Sequence, residues 1–187
     1  TDTGSVAATV LSAIGAKTGG TVTCSGALTI TGSTAEITAA LVTANSLVVA
    51  SSANVTFDDD PTAAQLALIN TAAGGTITLN DVSQTFSGTA ADVSAAFSGG
   101  LAGTQTGAVT ISDTSGTITA TTLSGIGGQT NGVVTAASGG ITISGSATEL
   151  TAALVTTGSL VVAENADVTI TDTGSVAATV LSAIGAK

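Results

Sequence analysis

The sequence predicts a repeat solenoid of α/β coils, and three observations carry that prediction. Residues 1–17, TDTGSVAATVLSAIGAK, recur unchanged as residues 171–187, 170 positions further on. Such identity is expected from recent duplication in a tandem array. Within those 170 residues an apolar–Thr–apolar tripeptide recurs as Leu28-Thr29-Ile30, Val55-Thr56-Phe57, Ile77-Thr78-Leu79, Val109-Thr110-Ile111, Ile141-Thr142-Ile143 and Val168-Thr169-Ile170. Its steps of 22 to 32 residues fall within the roughly 20–50 residues of repeat architectures, whose units are too small to bury an apolar face alone. Finally, Leu, Ile, Val and Phe make up roughly a quarter of the chain, above the level where disorder is the default. The bulk is Ala, Thr, Gly and Ser, which favour close backbone packing.

Six coils are expected in one continuous solenoid, at about 1–30, 31–57, 58–79, 80–111, 112–143 and 144–170, with 171–187 opening the next 170-residue unit. Each should open with a turn, run through a short helix and return along one or two parallel strands. In the first coil Val6, Val10, Leu11 and Ile14 fall on one face at helical spacing. In the second, Ser33 and Glu36 have capping-box spacing, with Ile37, Ala40 and Leu41 on one face behind them. Ser46-Leu47-Val48-Val49-Ala50 then reads as a short β-branched strand. The third helix is expected from Asp60 before Pro61, because Pro at the first helical position sacrifices no hydrogen bond. Thr89 before Ala90-Ala91-Asp92 starts the fourth.

The fifth coil is ambiguous, since the Thr-rich stretch from Ile118 to Ile126 reads equally as helix or strand. Residues 112–143 nevertheless match 1–30 with two short insertions. The sixth coil, 144–170, aligns with 31–57 without gaps. It repeats the capping box as Ser146 and Glu149, the apolar face as Leu150, Ala153 and Leu154, and the short strand at 159–163. Side chains alternate along a strand, so Thr29, Thr56, Thr78, Thr110, Thr142 and Thr169 are expected to form an outward ladder. Stacked strands sit ~4.8 Å apart and packed helices ~8–10 Å, so coils of this kind should curve or supercoil. The alternative is a parallel β-helix of right-handed type, without helices.

Charge narrows the function. The net charge is −10, and the only basic side chains are Lys17 and Lys187. Nucleic acid and anionic membrane surfaces both require clustered cations. Apolar runs such as Leu47-Val48-Val49-Ala50 are far shorter than the ~20 residues of a spanning helix. No signal peptide is legible, and its absence says little, since a fragment cut from the middle of a longer chain would not show one. His and Tyr are absent, which leaves acid–base chemistry to Asp and Glu. Those residues sit in turns and at helix starts, where capping and solubility explain them. The chain is therefore expected to be no enzyme and to require no cofactor.

Calcium is the ligand best matched to what remains. Acidic residues recur just after the apolar–Thr–apolar strand: Asp2, Asp58, Asp59, Asp60, Asp81, Asp113 and Asp172. In stacked turns their carboxylates could share a hard cation, with Asp58-Asp59-Asp60 the best place to look. The plainer reading is solvated turns and helix caps. Ice binding would use the Thr ladder, but coils of unequal length oppose one flat rank. A functional amyloid is a third possibility, because Ser46–Ala50 is uncharged and β-prone. Asn54-Val55-Thr56 matches a glycosylation sequon, although the aligned residue in the sister coil is Asp167. Cys24, the single cysteine, is expected to be a small buried side chain.

The Thr-Ala-x-Glu-Leu/Ile-Thr-Ala-Ala-Leu helices and Val-Thr-Ile strands, in acidic, Ala/Thr/Gly-rich sequence, resemble the repeats of giant bacterial cell-surface proteins. Cyanobacterial and marine bacterial adhesin-like and fibril-forming proteins are the group meant. The resemblance implies secretion, tandem arrays and a role in the cell envelope, adhesion, matrix or surface motility. The leading expectation is thus a structural repeat segment of a long extracellular fibre or cell-surface protein, with further copies of itself as partners, end to end. The alternative is a ligand-binding surface protein, either a calcium-dependent adhesin or an ice binder.

Overall fold

Short β-branched runs alternate with Ala-rich stretches headed by a hydroxyl, and the chain folds into short strands and short helices accordingly. The structure, a computed structural model, describes residues 4–24, 26, 28–136 and 138–187. The elements up to residue 78 are β1 (Ser5–Ala7), α1 (Ala8–Gly15), β2 (Val22–Thr23), β3 (Thr29–Gly32), α2 (Thr34–Leu41), β4 (Val48–Val49), β5 (Asn54–Phe57), α3 (Ala63–Ala72) and β6 (Thr76–Thr78). Next come β7 (Phe86–Gly88), α4 (Ala90–Phe97), β8 (Gly100–Leu101), β9 (Val109–Ile111), β10 (Gly116–Thr119), α5 (Ala120–Gly127) and β11 (Val134–Thr135). The chain closes with β12 (Ile141–Gly145), α6 (Ala147–Leu150) running into a π-helical turn (Thr151–Val155), a 3₁₀ turn (Thr157–Ser159), β13 (Val161–Val162), β14 (Asp167–Ile170) and α7 (Ala178–Gly185).

Two compact units result. The first comprises residues 1–82 and 95–103, the second 83–94 and 104–187, so the division falls inside α4. In the first unit β1-β3-β5-β6-β8 form a five-stranded sheet and β2-β4 a two-stranded one. Its core is built on Ile30, Ile37, Val55, Leu66, Ile69 and Ile77, all fully buried. In the second unit β10-β12-β14 form a three-stranded sheet and β13-β11-β9-β7 a four-stranded one. Leu123, Ile141, Ile143 and Leu150 are the largest of its fully buried aliphatics, together with Ile126. Among the described residues every strand pairing is parallel.

These findings correct the expected fold class. A single six-coil solenoid is not what the chain forms: the fold is mixed α/β, with four separate small parallel sheets of two to five strands among the described residues. The alternative, a parallel β-helix without helices, is overturned by seven α-helices among the described residues. The break lies in the expected coil 80–111. Its β7 pairs forward with β9, whereas its β8 pairs back with β6. Strands of two to five residues offer too few ladder bonds to hold one sheet together against the wider spacing that packed helices need.

Of the expected Thr ladder, Thr56 does lie beside Thr78, but the rest does not form, because burial sets a different register. Ile30 lies opposite Val55, Val55 opposite Ile77, and Ile77 opposite Leu101. That apolar column puts Thr31, not Thr29, beside Thr56. In the second unit Phe86, Val109, Val134 and Val161 form one column, and Ile118, Ile143 and Val168 another. Thr142 consequently faces Asp167, and Thr169 faces Ser144.

Most helix starts fall where the caps placed them. Ser33–Glu36 and Ser146–Glu149 both form reciprocal capping boxes. The third helix begins at Ala63 rather than after Asp60, because Thr62 and Gln65 form a capping box of their own. The ambiguous fifth stretch is both things: β10 ends in Thr119, whose hydroxyl accepts the Thr122 N–H and starts α5. Among the described residues no helix is long and apolar enough to cross a membrane.

Candidate functional site

The acidic turns are the chain's main concentration of ionisable groups, and the structure assigns three of them one recurring task. The residue after an apolar strand end donates its N–H to a glycine carbonyl of the preceding repeat: Asp58 to Gly32 at 3.1 Å, Ser112 to Gly88 at 2.8 Å and Thr171 to Gly145 at 2.9 Å. This ladder bond brings the next residue, an aspartate each time, to the start of the helix that follows the glycine. Asp59 Oδ1 accepts from Thr34 N at 2.7 Å and from Thr34 Oγ1 at 2.6 Å. Asp113 Oδ2 accepts from Ala90 N at 2.6 Å, and Asp172 Oδ2 from Ala147 N at 2.6 Å.

Thr34, Ala90 and Ala147 are the first residues of α2, α4 and α6. Their N–H groups have no partner inside the helix, and a carboxylate there also meets the positive end of the helix dipole. The hydroxyl of the local cap serves the amide two residues further on: Ser33 receives Glu36 N, Thr89 receives Asp92 N and Ser146 receives Glu149 N. Each of these helix starts is therefore capped twice, once from its own turn and once from the repeat that follows.

The other residues expected to hold calcium are distributed differently. Asp58, Asp59 and Asp60 are all exposed, and Asp59 is the one whose carboxylate reaches Thr34. Asp81 lies exposed in the turn between β6 and β7. Asp2 lies outside the described residues. Among the described residues no group of three or more His, Cys, Asp or Glu side chains is arranged to hold a metal ion. The signal for the capping role was legible: Asp59, Asp113 and Asp172 each stand two places after Phe57, Ile111 and Ile170. At these three positions the carboxylates accept from backbone N–H groups of the preceding repeat.

Two asparagines also join successive repeats. Asn54 Oδ1 accepts from Thr76 N at 2.8 Å, so the side chain of the sequon is engaged with backbone. Asn70 Nδ2 donates to Ala95 O at 2.9 Å. An open cleft of about 300 Å³ lies beside Asn70, lined by Thr71, Ala73, Ser98 and Gly99 among others, and has no titratable side chain in its wall. Cys24 is half-buried, and burial pushes its thiol up from the ordinary value, which suppresses thiolate at neutral pH.

Sequence reasoning overlooked Gln105. It is 1 % exposed, and neither atom of its amide has a hydrogen-bond partner among the described residues. Its backbone is well anchored, since the carbonyl accepts from Asn131 N at 2.8 Å and from Thr130 Oγ1 at 3.2 Å. No local pattern in the sequence marks this glutamine as buried. The chain matches no known protein family, no curated protein and no solved structure.

Proposed function

We propose that this chain is a structural repeat segment of a long extracellular or cell-surface protein, in which the 170-residue unit follows itself end to end and performs no catalysis. The observation that carries the reading is the unchanged recurrence of residues 1–17 as 171–187. A duplicated enzyme would keep its chemistry in each copy. This repeat keeps caps, turns and small apolar residues instead, and three of its aspartates serve the backbone of the preceding repeat.

Composition supports the same reading. Ala-, Thr- and Gly-rich sequence with a net charge of −10 is soluble and self-repelling at a distance. Contacts between copies then depend on close packing rather than on opposite charge. Electron microscopy of the whole native protein tests the proposal. The expected result is an elongated particle with an axial repeat corresponding to the 170-residue unit. A compact particle without axial periodicity overturns it.

A further inference from the structure

The asparagines of this chain are followed by Ser46, Val55, Thr71, Asp81, Gly132 and Ala166. Only Asn131 therefore precedes a glycine, and that pair has a chemistry of its own. A glycine nitrogen, uncrowded by a Cβ, can reach the side-chain amide carbon of the residue before it and close a five-membered imide. Packing explains why the glycine stands here. Gly132 lies so close to the preceding repeat that a Cβ on it would meet the Gly107 carbonyl oxygen at 2.1 Å and its carbon at 2.5 Å, so no other residue fits. Asn131 is not fixed in this way. It is exposed, and the matching turn of the first repeat, Thr18-Gly19-Gly20, carries glycine in its place.

The same turn holds the nitrogen that would attack. Gly132 N donates to Thr130 Oγ1 at 2.9 Å, in a hydroxyl turn that Gly20 N and Thr18 Oγ1 also form, at 3.1 Å. Thr130 is 3 % exposed, and its hydroxyl is anchored on the Gln105 and Gly107 carbonyls at 3.2 and 3.1 Å. Asn131 N completes the clamp by donating to Gln105 O at 2.8 Å. Imide closure needs the Gly132 nitrogen to lose its proton and turn toward Asn131 Cγ. Here that proton is bonded to a buried oxygen and Gly132 is itself buried, so base reaches it only when the turn opens.

We propose that Asn131 is a self-modification site, converted to aspartate and isoaspartate through an imide with Gly132, and that Thr130 is the positioning residue that restrains the conversion in the folded chain. In the open turn hydroxide removes the Gly132 proton, and the nitrogen attacks Asn131 Cγ. The N–Cγ bond forms, the Cγ–Nδ2 bond breaks, and Nδ2 takes a proton from water and leaves as ammonia. Water then cleaves the ring. Opening at Cγ restores the ordinary backbone with aspartate at this position. Opening at the backbone carbonyl leaves the chain running through Cγ, as isoaspartate. Both products add a negative charge, and isoaspartate also puts one more methylene between the two N–H donors of the clamp. Each opening that reacts thus leaves a permanent mark, and the modified fraction records how often this turn has opened.

Prolonged incubation of the full 187-residue chain in mildly alkaline buffer, followed by peptide mapping with mass spectrometry, reads the conversion at every asparagine. In denaturant Asn131 is expected to convert faster than any other asparagine. In the folded chain its conversion slows at least about tenfold, since each opening breaks buried hydrogen bonds. Thr130→Val keeps the shape and removes the hydroxyl, and conversion in the folded variant is expected to rise on the order of tenfold. Thr130→Ser keeps the hydroxyl and brings the rate back.

Should Thr130→Val fail to fold, urea below the unfolding transition opens the turn in the unaltered chain. Gly132 amide exchange and Asn131 conversion are then expected to rise in the same proportion. Five outcomes overturn the proposal: another asparagine reacting first in denaturant, equal rates at Asn131 in folded and unfolded chain, an unchanged rate in folded Thr130→Val, a Thr130→Ser rate as high as that of Thr130→Val, or conversion that does not follow Gly132 exchange.

Discussion

Gln105 places a neutral amide in the interior of the second unit, which is built mainly on apolar side chains. Its side chain is buried, and neither amide atom bonds to a protein group among the described residues. An unsatisfied buried polar group costs about 1–3 kcal/mol, whereas an apolar side chain of similar shape carries no such penalty. Gln105→Met is therefore expected to raise the unfolding free energy by about 1 kcal/mol, measured by equilibrium denaturation. A loss of stability would show that the amide is bonded after all. Thr130 shows the opposite solution at the same depth. Its single hydroxyl proton is shared between the carbonyls of Gln105 and Gly107, at 3.2 and 3.1 Å, and its oxygen accepts from Gly132 N, so this polar group is buried with both donor and acceptor engaged.

At the scale of elements, legibility followed the range of the forces involved. Helix starts depend on a hydroxyl and a residue three places on, so Ser33, Thr89 and Ser146 could be read directly. Asp60-Pro61 was a weaker competitor to Thr62 and Gln65, which satisfy two amides instead of one. Strand register was not legible, because it answers to neighbours more than twenty residues away. The Ile30, Val55 and Ile77 column won over the Thr column since it buries more apolar surface. The recurrence of Asp59, Asp113 and Asp172 two places after an apolar strand end was legible, whereas the N–H groups they meet lie more than twenty residues earlier, in the preceding repeat. Asp59→Ala is expected to cost about 1 kcal/mol, as loss of a helix cap does. Asp58→Ala removes the same charge one place earlier, leaves the Asp59 contact with Thr34 in place, and should stay within about 0.5 kcal/mol. Chemical denaturation of the two variants separates capping from net charge. Equal effects would mean that the Asp59 contact with Thr34 contributes nothing.

At the scale of the whole molecule, composition and repetition were legible and the unit boundary was not. A tandem sequence does not state where one cooperative body ends, and the division inside α4 follows from β7 and β8 choosing different sheets. What repetition does dictate is that identical residues in identical surroundings have identical stability. Ser175–Gly185 lacks the surroundings of Ser5–Gly15, and Leu181 is 43 % exposed where Leu11 is 5 % exposed. Extending the chain by a further copy of residues 18–187 gives the second segment a neighbour with the same sequence as the first has. Burying a leucine side chain contributes about 1.5–3 kcal/mol when complete, and amide exchange slows about tenfold for each 1.4 kcal/mol added to local opening. Hydrogen exchange at Ala178–Gly185 is accordingly expected to slow at least about tenfold in the longer chain and to match Ala8–Gly15. Unchanged exchange would mean that the flanking unit, rather than the repeated sequence, decides how each copy packs.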